Sequence, residues 1–263
     1  MTMHIPPVFI SHGSPMFALE RGQAADMLSA LGRQLPRPKA ILVASGHWDT
    51  RAPAVSTTAA PETIHDFYGF PAPLYQLRYT PPGATDVATQ AAALLRAAGI
   101  PCAEEATRGL DHGAWVPLLF LYPQADIPVA QIAIQTRLGP AAAMAVGRLL
   151  APLADEGVLL MGSGSITHNF QELDAAAPSG YAAPWVNEFV DWMAQQIAAG
   201  NEQALLDYRK LAPYGAKAHP SEDHLVPLHF ALGAAGCRGR RLAGGVTLGS
   251  VSMDSFVFDG SAA

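Results

Sequence analysis

The chain has 263 residues, half of them hydrophobic and only 14% charged, which excludes a disordered protein and suffices for one large α/β domain with a full core. A formal net charge of -6 without any cluster of Lys and Arg excludes a general affinity for nucleic acid, which needs a basic face to displace counterions. The two cysteines, Cys102 and Cys237, lie far apart and suggest neither a disulfide framework nor a thiolate metal site, so a reducing cytoplasm is expected.

The N-terminal stretch 1–5 has no basic region followed by a long apolar segment, and no later apolar run approaches the ~20 residues that span a bilayer. A soluble, unprocessed protein without a membrane partner is expected. The run Pro7-Val8-Phe9-Ile10 reads as a first buried strand and leads into Ser11-His12-Gly13-Ser14-Pro15. Helical spacing over 20–35 stops before Pro36 and Pro38, and a second strand over 40–44 leads into Ser45-Gly46-His47-Trp48. Strand, helix and strand with short connections predict a βαβ unit with parallel strands. From 51 to 82 the pattern is broken by Pro53, Pro61, Pro71, Pro73, Pro81 and Pro82. This reads as a long ordered excursion, too aromatic for disorder, that carries His65, Phe67 and Phe70 and is suited to line a pocket.

Regular alternation resumes with a helix over 86–98, a short strand over 101–104, a strand over 128–134 and a helix over 141–153. A strand over 158–161 then precedes Gly162-Ser163-Gly164-Ser165-Ile166-Thr167-His168-Asn169. The last third predicts helices over 185–199 and 202–211 and a helix that Ser221 caps and that runs to about 232, with His224 in its first turn. One or two edge strands are expected over 246–258. The fold expected is a single-domain α/β sandwich over 1–263, a central largely parallel or mixed sheet flanked by helices. Ligands of such folds sit at the carboxyl ends of the strands.

His12, His47 and His168 each follow a buried strand, and with His112 and His224 they stand apart in setting from the rest of the nine histidines. Imidazole is the commonest protein ligand for Fe, Zn, Cu and Ni, and a catalytic site needs about three protein ligands plus open positions. His4, His219 and His229 read as terminal, loop and helix-face residues. Trp48, Phe67, Phe70 and Trp115 read as core or wall residues, and His65 as a pocket candidate. Ser163 and Ser165 do not form the G-x-S-x-G elbow, and the same glycine-rich stretch lacks the Lys of a phosphate loop.

These segments, with Thr63-Ile64-His65-Asp66-Phe67, Asp111-His112-Gly113 and Glu222-Asp223-His224, occur in one order along nearly the whole chain. In that order the chain resembles the DODA-type, LigB-like (class III) extradiol aromatic ring-opening dioxygenases, a group similar to 4,5-DOPA dioxygenase. The resemblance implies an oxidoreductase that opens a catechol with dioxygen next to, rather than between, its two hydroxyls, using mononuclear Fe(II). It implies His12 and His47 as metal ligands, with His224 in the place where the LigB type carries a glutamate. Three neutral imidazoles suit Zn(II) as well as Fe(II), and the adjacent Glu222 and Asp223 leave a carboxylate ligand open. His168 matches the family's acid/base, or a further ligand, and His112 a second active-site histidine. The substrate side is expected to include His65, Trp48, Phe67 and Trp115, with Arg51 or Arg78 as partner for a substrate carboxylate. Two other readings use the same histidines: a zinc hydrolase or amidase, and a zinc-binding protein without turnover.

Overall fold

Four apolar runs, Val8–Ser11 (β1), Ala40–Asp49 (β2), Val129–Ile134 (β5) and Val158–Gly164 (β6), are buried almost throughout, so neither face of the sheet they form is left to water. They pair in parallel as β5-β2-β6-β1, with Ile41 opposite Val129, Val43 opposite Met161 and Val8 also opposite Met161. Short strands β3 (Ala54–Ser56) and β4 (Ala103–Glu105) extend the sheet beyond β5, and β10 (Ser255–Val257) and β7 (Arg240–Leu242) extend it beyond β1. Within these extensions β3–β5, β1–β10 and β10–β7 are antiparallel, so the eight-stranded sheet is mixed. Strands β8 (Val246–Thr247) and β9 (Val251–Ser252) form a separate hairpin. The computed structural model describes residues 4–258. Residues 1–3 and 259–263, which the expected domain and the N-terminal reading include, lie outside the described residues.

The helices are α1 (Gln23–Gln34), α2 (Thr85–Ala97), α3 (His112–Leu121), α4 (Gly139–Leu150), α5 (Pro152–Asp155), α6 (Pro184–Ala199), α7 (Glu202–Leu206), α8 (Tyr208–Leu211), α9 (Gly215–Ala218) and α10 (Val226–Ala235). Strand residues alternate between two layers, as a pleat of period two requires. Val8, Ile10, Ile41, Val43, Leu159 and Met161 pack with α1 and α3. Leu42, Ala44 and Leu160 face α2, α4 and α10. Phe9 and Phe256 reach α6 in a further cluster. Among the described residues no helix is long and apolar enough to cross a membrane.

Four local expectations need correction. The helix expected from Ser221 begins instead at Val226, because Pro227 has no N–H to donate and suits only the first turn. His224 therefore sits in the turn before α10. The 246–258 segment is not all edge: Ser255–Val257 pairs inside the sheet, while the edge is Arg240–Leu242, a strand that its charged residues conceal in sequence. The 202–211 helix divides at Asp207 into α7 and α8, and the 141–153 helix is interrupted ahead of Pro152.

Candidate metal and active site

His12 leaves the end of β1, with its main-chain N–H donating to Gly164 O across to β6. His47 lies near the end of β2, where the pairing with β5 shifts register. His224 arrives from the other side because Gly164 has no side chain: a Cβ there would stand 2.0 Å from the His224 carbonyl. The three imidazoles converge, with His12 Nε2 3.1 Å and His224 Nε2 3.2 Å from His47 Nε2. Their ligand atoms all lie within 4.8 Å of one another.

The second nitrogen of the His12 and His224 rings is hydrogen-bonded elsewhere, and that of His47 faces a carboxylate. The Ser163 hydroxyl donates to Gly113 O, so it accepts from His12 Nδ1 at 3.0 Å. His224 Nδ1 donates to Asp223 Oδ2 at 2.5 Å, and His47 Nδ1 is 3.6 Å from Asp66 Oδ2. Each arrangement leaves the Nε2 lone pair for the common point. Lone pairs held this close repel unless something shared sits between them. Nitrogens bound to one ion at about 2.0–2.1 Å stand roughly 3.0–3.4 Å apart, so the three residues fit a metal ion. Burial, followed by the neighbouring histidines, holds the His12 and His47 pKa values far below the usual range, which keeps both rings in the neutral, ligating form. Glu222 turns away to accept from Tyr208 Oη at 3.1 Å, and Asp223 is engaged with His224.

His168 and His112 flank this triad. His168 lies flat on His224, centroids 3.6 Å apart and planes 6° from parallel, and its main-chain N–H donates to Ala218 O. Burial, then the neighbouring His224, lowers its pKa to about 3. His112 opens α3, and its ring centroid is 3.9 Å from that of His47. Asp66 accepts both from its main-chain N–H at 2.8 Å and from Nδ1 at 3.0 Å. Burial alone would raise the Asp66 carboxyl, yet the bonds from His112 outweigh it and hold it down to about 2. Beneath them Asp111 caps α3 and is buried completely. Its carboxylate accepts from Ser45 Oγ, Arg108 and Gln131, which locks the start of the helix to the strand ends.

A cavity of about 530 Å³ opens in front of the five histidines, walled by Phe67, Phe70, Phe17, Met253, Phe170 and their neighbours. Of the four residues expected at the substrate, Phe67 lines it and three stand behind. Trp115 is fully buried, its Nε1 donating to Ile64 O, and packs 6.3 Å from Phe67. His65 is tied to Leu77 O at 3.2 Å, and Trp48 lies under the Arg108 guanidinium at 4.8 Å. Neither Arg51 nor Arg78 is among the cavity's lining residues, and Arg78 donates to the Tyr75 and Leu77 carbonyls. His4 pairs with Asp155 at the surface, as a terminal residue does. His219 and His229, expected on a loop and a helix face, are buried without exposure and bonded to main-chain carbonyls. Sequence reasoning did not single out Asp66, Asp223 and Ser163 as the groups that orient the histidines. Adjacency was a signal for Asp223 alone, which bonds the next residue His224, whereas Asp66 adjoins His65 but serves His112.

The model of the catalytic LigB subunit of aromatic ring-opening dioxygenase matches residues 1–248. A protein of Beta vulgaris named 4,5-DOPA dioxygenase extradiol is 42% identical over 232 residues, 87% of this chain and 86% of that one. Its namesake from Escherichia coli K12 is 37% identical over 235 residues, covering 88% and 85%. Among solved structures, an uncharacterized protein from Escherichia coli K12 superposes with a TM-score of 0.81 at 31% identity, covering 97% of this chain and 99% of its own.

Proposed function

This chain belongs to the LigB family of aromatic ring-opening dioxygenases and is an extradiol ring-cleaving dioxygenase; from that premise we propose that His12, His47 and His224 hold Fe(II) and that His168 is the acid/base acting on a catechol with a DOPA-like side chain. The observation that carries the assignment is the convergence of three Nε2 atoms at 3.1 and 3.2 Å, with the His12 and His224 rings hydrogen-bonded from their far sides. A bound ferrous ion supplies acidification of the catechol oxygens and a shared coordination sphere for catechol and dioxygen. Zn(II) suits the same three imidazoles, so the occupant is read by metal analysis.

The residues around that point have separate tasks. His168 lines the cavity with its main-chain N–H tied to Ala218 O, which positions its ring to take a catechol hydroxyl proton and later return it. His112, its Nδ1–H committed to Asp66, presents Nε2 as a fixed polar group beside the reacting oxygen. Phe67, Phe70 and Met253 flank the ring and exclude water from one side of it. A cytoplasmic location fits the buried, unpaired Cys102 and Cys237.

Anaerobic metal-free protein loaded with Fe(II) and given oxygen should consume it with a panel of catechols and form a yellow ring-opened semialdehyde. Oxygen uptake that depends on Zn(II) alone, or a product opened between the hydroxyls, would overturn the assignment.

A further inference from the structure

Past the end of β6 the residues 165–169 belong to no strand or helix, so the loop that carries His168 is fixed bond by bond. Ser165 N–H donates to His224 O at 3.0 Å, Ile166 N–H to Ser11 Oγ at 3.1 Å and Thr167 Oγ1 to Ser250 O at 2.7 Å. The far side of the loop rests on the turn 217–219 at the end of α9. There His168 N–H donates to Ala218 O at 2.9 Å, Asn169 Nδ2 to Lys217 O at 2.7 Å and His219 Nε2 to Ile166 O at 2.9 Å. The His219 bond reaches back past His168, so Thr167 and His168 are bracketed between two bonds of opposite direction.

His219 has no exposed surface, and burial holds its pKa down to about 3, so the ring is neutral and carries a single N–H. That proton is on Nε2, because the Ile166 carbonyl only accepts. Nδ1 keeps a lone pair that meets no donor among the described residues. A buried acceptor without a donor lowers stability, a cost that an apolar side chain in the same space would not carry. What the imidazole contributes is one directed bond to the His168 loop. The turn is itself secured from α8, with Arg209 donating to His219 O and the Tyr208 ring standing edge-on to the imidazole, centroids 6.0 Å apart.

We propose that the turn 217–219 is the cradle of the acid/base and that His219 is its positioning residue: by holding Ile166 O it fixes where the His168 ring enters the cavity. The inference rests on the reading of His168 as acid/base. His219 itself lines neither the cavity nor the point where His12, His47 and His224 converge. A proton acceptor misplaced by about 1 Å can cost on the order of 10²-fold in rate, whereas catechol affinity depends on groups that His219 does not touch.

The test compares wild type, His219→Leu, which removes the N–H, His219→Gln, whose amide can donate to Ile166 O, Asn169→Ala and His168→Gln, all loaded with Fe(II), on 4-methylcatechol. His219→Leu should lower kcat by roughly 10–100-fold with KM and metal content unchanged, and His219→Gln should recover most of the loss. A second reading needs no turnover: 4-nitrocatechol bound under argon changes colour as it ionises. Its ionisation in the complex should require a higher pH in His219→Leu than in wild type, the direction that removal of the base in His168→Gln produces. Asn169→Ala, which loses the neighbouring bond to Lys217 O, should shift both readings the same way, and it decides the matter if His219→Leu does not fold. Wild-type kcat and nitrocatechol ionisation in His219→Leu, or in Asn169→Ala where that variant decides, would overturn the proposal, as would an equal loss in His219→Leu and His219→Gln. Wild-type cleavage by His168→Gln would instead overturn the acid/base reading, and with it the role of His219.

Discussion

At His168 the imidazole rests on the face of His224 at 3.6 Å while its main-chain N–H is tied to Ala218, so its position does not depend on a metal bond. His168→Gln should accordingly retain the metal content of wild type, measured by mass spectrometry, and lose ring cleavage by roughly 10²–10⁴-fold, the span of a general acid/base contribution. Loss of the metal in that variant would make His168 a ligand. His112 depends on Asp66 for both its main-chain N–H and its ring, across a sequence separation of 46 residues. Asp66→Asn can keep only part of that pairing, and a decrease in kcat/KM of roughly 10–100-fold is expected, with the melting temperature little changed. The histidines themselves were legible in the sequence because four of them end or follow a strand or open a helix, while His224, expected in a helix, sits in the turn before α10. Their orienting partners were not, because Ser163 reaches His12 and Asp66 reaches His112 only once the strands and the excursion are packed.

Elements with an uninterrupted apolar run were legible as strands: residues 40–44 and 128–134 fall within Ala40–Asp49 and coincide closely with Val129–Ile134. Elements defined by pairing were not. Arg240–Leu242 is a strand because β10 lies beside it, and Arg241 is held there by Asp254 and Asp191, none of which is a local property of Arg-Arg-Leu. The approach of the turn before α10 to β6 is equally tertiary. Gly164 accommodates it, with Ser165 N–H donating to His224 O at 3.0 Å. Gly164→Ala places a methyl group against that carbonyl, and since backbone cannot yield as a flexible side chain does, about 1–3 kcal/mol of destabilisation is expected by urea unfolding. Weaker metal binding should accompany it, because the displaced segment carries His224.

Over the whole molecule, buried neutral histidines couple stability to pH. Burial holds His219 down to about 3 and lowers His229 as well, both below the ~6.5 of an unfolded chain. Below pH ~6.5 the unfolded chain therefore binds protons that the native state refuses. Stability falls as pH falls from there toward 3 by up to ~1.4 kcal/mol per pH unit through His219, with His229 acting in the same direction, and above ~6.5 neither contributes. Urea unfolding of the metal-free protein at pH 7.5, 6 and 5 should show the decline, and His219→Gln, which keeps a donor for Ile166 O, should flatten it. A decline as steep in the variant as in wild type would remove His219 from the account.

Local chemistry was sufficient for the fold class and for the family. Apolar runs with short connections dictate a covered, largely parallel sheet, and the ordered histidine segments identify the ring-opening dioxygenases without knowledge of a single contact. What only the tertiary structure decided is which side chains line the cavity in front of the histidines. Trp48 and Trp115, prominent in sequence, went behind the wall, and Glu20, unmarked in sequence, came to it. The physical reason is that strand and helix periods are properties of a short stretch of chain, whereas the lining of a cavity depends on how separate stretches turn and pack against one another.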